Sequence, residues 1–290
     1  MRRRRLAVVG TGLIGASVGL AARPAFEVTG YDADASAARE ALAAGALDSA
    51  AASLDEALAG AEVVVLATPV AATVALLEAL RPLPEATLVT DTASVKGPVA
   101  AAGRGVPAFV AGHPIAGSER SGPSAARAGL FRGRAWALVP SGDRALDGRA
   151  EEFVRSLGAQ PFAVTADEHD AAIALTSHLP QVLSTALGAA LAQRLGEPAV
   201  AGLCGPGIAS LLRLADSPWG VWAAILDANA AAVAQEVRAF AAILRTVADE
   251  VEAHDAGALA ARFAAAGSVR ARLGTNDVAA GSVTRDTPSF

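Results

Sequence analysis

Leu6-Ala7-Val8-Val9-Gly10-Thr11-Gly12-Leu13-Ile14-Gly15 is the stretch that decides the fold. Four apolar residues suit a short buried strand, and the glycines open a helical run that ends before Pro24. A Gly-x-Gly-x-x-Gly pattern between strand and helix has a mechanical reading. Gly10 permits a tight turn, Gly12 lets a pyrophosphate approach the backbone, and Gly15 lets the helix pack on the strand. Thr11, Leu13 and Ile14 complete the loop, and the unpaired N–H groups of the helix start offer partial positive charge to phosphates. Phe26–Tyr31 reads as a second strand, with Asp32 at its end placed to accept hydrogen bonds from both hydroxyls of an adenosine ribose. Its charge would repel a 2′-phosphate and Ala33 supplies no compensating arginine, so NAD is expected rather than NADP.

Outward from there, residues 36–60 carry helical spacing with a turn near Gly45, and residues 62–67 form a fully apolar strand. Thr68 and Pro69 at its mouth are placed to wall the nicotinamide end of a dinucleotide. Residues 87–90 and 108–111 are two more short apolar runs. The first empties into a loop holding Ser94 and Lys96. The second empties into Gly112-His113-Pro114-Ile115-Ala116-Gly117-Ser118-Glu119-Arg120-Ser121-Gly122. Ligands of open α/β sheets bind in the crevice beyond the strand C-termini, which singles out Ser94, His113, Ser118 and Glu119. A histidine between glycine and proline is held by restricted backbone, as a working imidazole should be. Lys96 could approach a ligand or pair with an acid in its own loop, and no role is assigned to it. Residues 136–140 and 161–164 are expected to extend the same sheet, with a helix over 150–157 between them.

From 166 to about 266 strand signals vanish, and alanine- and leucine-rich helices are interrupted at 196–198, 205–207 and 217–220. Glu168 and His169 open the first helix as solvated first-turn residues. His178 follows in Thr176-Ser177-His178-Leu179-Pro180, just ahead of a proline kink. Arg213 stands among apolar residues, a costly position unless its guanidinium finds an anion, either a ligand carboxylate or Asp216. The class expected is α/β: a Rossmann-type dinucleotide-binding sheet over residues 1–165, an all-α domain over 166–270, and a flexible tail over 271–290.

With a formal charge of −5, the chain lacks the basic field a nucleic-acid partner needs. No apolar run is long enough to span a membrane. Arg2 to Arg5 form a basic run with no signal core behind it, most simply a solvated leader. Cys204 is alone, which excludes an internal disulfide and a cysteine metal cluster. No metal is expected, and the expected setting is the cytoplasm.

Ser94-Val95-Lys96-Gly97, followed by the Gly112 to Gly122 segment, resembles the prephenate/arogenate (cyclohexadienyl) dehydrogenase family, the NAD-dependent oxidative decarboxylases of tyrosine biosynthesis. The likeness extends over most of residues 6–225. It implies prephenate or arogenate as substrate, with His113 as general base and Ser94 orienting both His113 and the substrate hydroxyl. It further implies Arg213 gripping a carboxylate, Trp222 nearby, and His178 with Ser118 and Glu119 facing the substrate side chain. A homodimer through the helical domain is implied too, and the apolar helix faces suit it. No room remains for the regulatory module some relatives carry, so feedback through one is not expected. Two other readings compete. A β-hydroxyacid dehydrogenase or imine reductase generally needs a lysine in the helical half, whereas the only lysine here is Lys96. An NAD-binding sensor without turnover needs no Ser94 and His113 beside the nicotinamide.

Overall fold

A computed structural model describes residues 3–80, 83–84, 86–117 and 120–279. Its centre is a parallel six-stranded sheet in which β1 (Arg4–Val9) lies between β2 (Phe26–Tyr31) and β4 (Val63–Leu66). β3 (Ser49–Ala50) lies outside β2, while β5 (Leu88–Asp91) and β6 (Phe109–Val110) continue beyond β4. Helices α1 (Leu13–Ala22), α2 (Ala35–Ala43), α3 (Leu54–Leu58), α4 (Val70–Ala79) and α5 (Gly97–Gly103) connect these strands. Burial explains the apolar runs. Leu6 and Val8 enter the core on one face of the sheet, and Ala7 and Val9 enter the core on the other. A strand covered on both faces needs apolar residues at every position, not at alternate ones. The chain order reverses at β1 and β4, and the loops leaving their C-terminal ends part around a crevice.

Three further strands depart from expectation. β7 (Gly112–Pro114), β8 (Ala135–Leu138) and β9 (Gln160–Ala163) do not extend the large sheet but form a second one, with β7 antiparallel to β8 and β8 parallel to β9. Apolar spacing marks a strand without naming its partner. β8 comes back beside β7 in the opposite direction, pairing Gly112 with Leu138 and Pro114 with Trp136, which a single strand's spacing does not encode. The 136–140 and 161–164 runs are therefore strands in a different sheet. β3 went unseen because two residues carry no periodicity. α6 (Arg144–Ser156) covers the helix expected over 150–157 and begins earlier, capped by Asp143.

After β9 the structure is helical: α7 (Ala166–Ile173), a π-helical turn over Ala174–His178, α8 (Leu179–Ala192), α9 (Pro198–Gly202), α10 (Pro206–Leu212), a 3₁₀ turn over Arg213–Asp216, and α11 (Trp219–Ala228). The widened turn ends at His178, two residues before Pro180, which has no N–H for a regular helical bond. α12 (Ala230–Glu252) and α13 (Ala256–Ala279) complete the described chain.

Two compact units result, Met1–Ala234 and Gln235–Phe290. The first continues well past residue 165 because α7 packs on α5 and α11 packs on α4. In the second, Arg262 grips Glu250 through two hydrogen bonds of 2.6 and 2.7 Å. α13 runs to Ala279, through the first part of the stretch expected as a tail, and residues 280–290 lie outside the described ones. Among the described residues no helix is long and apolar enough to cross a membrane.

Candidate active site

The glycine loop leaves β1 at the reversal point. Gly10 has φ +90°, and a Cβ there would stand 2.4 Å from the Ala67 carbonyl oxygen. A Cβ on Gly15 would stand 1.9 Å from the oxygen of Gly10. At Gly12 the space is open. α1 starts there with no side chain capping its first turn, so its leading N–H groups are left for a ligand. Asp32 holds the loop from the end of β2. Its Oδ2 accepts from the backbone N–H of Thr11 at 2.7 Å and from the Thr11 hydroxyl at 3.2 Å, while Oδ1 accepts from the N–H of Asp34 at 3.0 Å. Thr11 is thus buried as an anchor for Asp32, and the carboxylate keeps lone pairs for a ribose. A bare helix start, an open Gly12 and a fixed carboxylate suit a dinucleotide.

A cavity of about 610 Å³ runs from this loop to the second set of strand ends. Its wall takes Gly12, Leu13 and Ile14 from the glycine loop, Thr68 and Pro69 from the mouth of β4, and Ser94, His113, His178 and Trp222 from later in the chain. Arg120 also lines it. Arg213 does not join them. It is exposed, in a turn whose Leu214 carbonyl is held by the Gln181 side-chain amide at 2.9 Å. Its apolar sequence neighbours had suggested burial that the short 3₁₀ turn does not provide. Ser118 and Glu119 lie outside the described residues.

His113 lies on β7 with its ring in a side-chain network. Its Nδ1 is 2.9 Å from Nε2 of His169, the rings meeting edge to face, and Nδ1 of His169 is 2.7 Å from the Asp170 carboxylate. That carboxylate also accepts the backbone N–H groups of Lys96 at 2.7 Å and Gly97 at 2.8 Å. Burial pushes its pKa up, but these hydrogen bonds outweigh it and hold the value below the ordinary range. Nearby, Asn229 donates from Nδ2 to the Asp170 carbonyl at 2.9 Å and lies 3.4 Å from Nδ1 of His178. His178 also meets Trp222 edge to face. Burial, then the charge of Lys96 and the repulsion that a second proton on the neighbouring imidazoles would meet, depresses the His113 pKa well below its usual value. Burial lowers His178 to about 4, with Asp170 opposing the shift.

Lys96 is 0% exposed. Its ammonium donates to Asp91 Oδ2 at 2.5 Å and to the carbonyl of Gly112, while Asp91 accepts the N–H groups of Ala93 and Gly112 at 2.8 Å each. Burial pulls the lysine pKa down and Asp91 opposes that pull. Lys96 is therefore a pillar under the Gly112-His113 corner, the acid-paired alternative of its sequence reading.

Two sequence expectations fail here. Ser94 makes no hydrogen bond to His113 and shares only the cavity wall with it, whereas the ring is oriented by His169. His169 is not solvated but buried, 3% exposed. Only Glu168 behaves as expected, exposed and closing a capping box with Thr165. The missed signal was helical phase: His169 precedes the buried Ile173 by one full turn and shares its inward face. Asp170 and Asn229 carried no local signal.

A glycine loop at the reversal point of a parallel sheet, with a neutral histidine across the cleft, defines an NAD-dependent dehydrogenase. Residues 20–162 match the family model described as prephenate dehydrogenase, nucleotide-binding domain, and residues 165–265 match prephenate dehydrogenase, dimerization domain. The chain is 35% identical over 270 residues to the "Probable prephenate dehydrogenase NovF" of Streptomyces niveus, covering 84% of this chain and 69% of that one. It is 27% identical over 284 residues to the cyclohexadienyl dehydrogenase of Zymomonas mobilis, covering 94% and 97%. In fold it is similar to the prephenate dehydrogenase of Aquifex aeolicus solved with hydroxyphenyl propionate and NAD+, with a TM-score of 0.87 at 24% identity over 94% of this chain and 99% of that one. The chain belongs to the prephenate dehydrogenase family.

Proposed function

We propose that this cleft performs the NAD-dependent oxidative decarboxylation of prephenate or arogenate in the tyrosine branch of aromatic amino-acid synthesis. The observation that carries the reading is the single cavity joining Gly12 to His113, so that a base faces the nicotinamide end of a dinucleotide site. The substrate is a cyclohexadienol with a C4 hydroxyl, a ring carboxylate and a pyruvyl or alanyl side chain. Bound NAD+ would supply the hydride acceptor, held by the glycine loop, Asp32, Thr68 and Pro69.

His113 accepts the C4 hydroxyl proton, and its depressed pKa keeps it unprotonated for that task near neutral pH. Ser94, on the same wall, hydrogen-bonds the same oxygen. The ring ketone that forms is conjugated to the carboxylate-bearing carbon, so CO₂ departs and the ring becomes aromatic. Arg120 brings a permanent positive charge to the cavity wall, where an anionic substrate needs one. His178 and Trp222 close the cavity over the ring. Arg213 lies outside the cavity of one chain and receives no role in it.

The helical part is proposed to pair two copies of the chain in the cytoplasm. Leu203, Leu211, Trp219 and Val221 on and around α9 to α11 are 84%, 62%, 72% and 56% exposed, more apolar surface than a lone chain usually leaves bare.

NADH formation with prephenate and arogenate in parallel tests the activity. One or both should turn over, and His113→Ala should lose about 10²–10⁴-fold in kcat. Tight NAD binding with neither substrate consumed would defeat this reading and revive the NAD-sensor alternative.

A further inference from the structure

The two histidines of the cavity are wired differently, and both wires end on Asp170. Its carboxylate can only accept, so Nδ1 of His169 carries a hydrogen. In neutral His169 the other nitrogen, Nε2, is then an acceptor, and the hydrogen of the 2.9 Å contact belongs to Nδ1 of His113. That leaves the His113 lone pair on Nε2. The backbone carbonyl of Asp170 can also only accept, which fixes the Asn229 amide with its nitrogen inward. The second hydrogen of that nitrogen points to Nδ1 of His178, making Nδ1 an acceptor and leaving the hydrogen on Nε2. Among the described residues neither Nε2 has a protein partner, and both rings line the cavity.

We infer that Asp170 is a positioning hub that sets the two cavity histidines in opposite tautomers, His113 presenting a lone pair and His178 presenting an N–H to the substrate. The catalytic meaning rests on the function proposed above; the tautomers themselves do not. The base accepts the hydroxyl proton at Nε2, and its Nδ1 proton can pass to Nε2 of His169, whose charge the Asp170 carboxylate stabilises. The N–H of His178 faces an acceptor on the substrate, a carboxylate or keto oxygen. One residue, through its carboxylate on one side and its backbone carbonyl on the other, thereby specifies both a place to deposit a proton and a place to bind an oxygen.

With four histidines in the chain, nitrogen NMR of the full protein labelled with ¹⁵N-histidine can resolve each ring. At neutral pH His113 should show Nδ1–H with a bare Nε2, and His178 the reverse. A bare Nδ1 at His113, or an Nδ1–H at His178, would overturn the inference whether or not any substrate turns over. His169→Gln keeps an acceptor within reach of His113 Nδ1 and should preserve its tautomer, with kcat within about tenfold of wild type. His169→Leu removes the acceptor, mixes the tautomers and should lose about 10²-fold or more, since a mis-set tautomer costs a catalytic histidine up to about 10⁴-fold. Equal losses in the two variants would reduce His169 to packing. Correct tautomers without turnover would instead sink only the proposed reaction.

Discussion

At one end of the cleft, Gly10, Gly12 and Gly15 present backbone to a ligand, and their one side-chain support, Asp32, arrives with the next strand. At the other end, His113 depends on Lys96, His169 and Asp170, and His178 depends on Asn229, all brought from loops and helices far apart in the chain. The first end is made of conformation, the second of side-chain chemistry. Phosphates are recognised by N–H groups that any sequence possesses, provided glycine lets the backbone approach. A proton can be taken only by a particular atom in a particular state, and fixing that state takes a network.

The comparison can be broken by substitutions confined to one end. The largest effect belongs to the proposed base: His113→Ala should lower the rate about 10²–10⁴-fold while leaving the NAD dissociation constant, read by fluorescence titration, near its wild-type value. A parallel fall in NAD affinity would mean that the two ends are not separable. Lys96→Met comes next. It strands the Asp91 carboxylate without its cation in a fully buried site, and denaturant unfolding should show a loss of about 3–5 kcal/mol. A loss below about 1 kcal/mol would show that water reaches the pair and that the pillar is not one.

At the opposite end, Gly15→Ala forces a Cβ into the Gly10 carbonyl and should cost about 1–3 kcal/mol, seen as a weaker NAD complex with His113 and its neighbours unchanged in their NMR signals. The smallest effect is in pH. His113 and His178 have folded pKa values below the unfolded one, so the unfolded chain binds more protons in the window between. Their contribution to stability is complete above the unfolded value near 6.5 and is lost as pH falls toward about 4. Tm should therefore decline from pH 7 to pH 5, and His178→Asn should flatten the decline. An unchanged slope in that variant would place the titration elsewhere.

The same contrast explains what could be read before the fold was known. Gly10 to Gly15 and Asp32 are legible because their function is local: strand, turn, helix and the end of the next strand occur within one short segment. The parallel strands are legible because burial on both faces demands unbroken apolar runs. That His113 and Ser94 line the cleft is legible because a sheet's C-terminal edge is predictable. The partners of His113 were not, since His169 and Asp170 meet it across more than fifty residues of chain and look, in isolation, like an ordinary acidic first turn. Arg213 misled for the opposite reason. Apolar neighbours in a line imply burial only when the element is long enough to have an inside, and a four-residue 3₁₀ turn has none. The second sheet was misjudged because periodicity is a property of one strand and pairing a property of two.

The carboxylate of Asp170 grips the N–H groups of Lys96 and Gly97, and its residue stands just beyond the point where the two family models meet, at residues 162 and 165. The border by which such chains are recognised as two modules therefore runs between the proposed base and the groups that orient its ring. A nucleotide-binding half severed there would carry its glycine loop intact but leave two amide hydrogens bare and His113 without a counterpart. Recombining halves from different relatives would graft the dinucleotide site faithfully and the proton chemistry only if both donors agreed about one aspartate. In this chain heredity by domain and heredity by mechanism follow different seams.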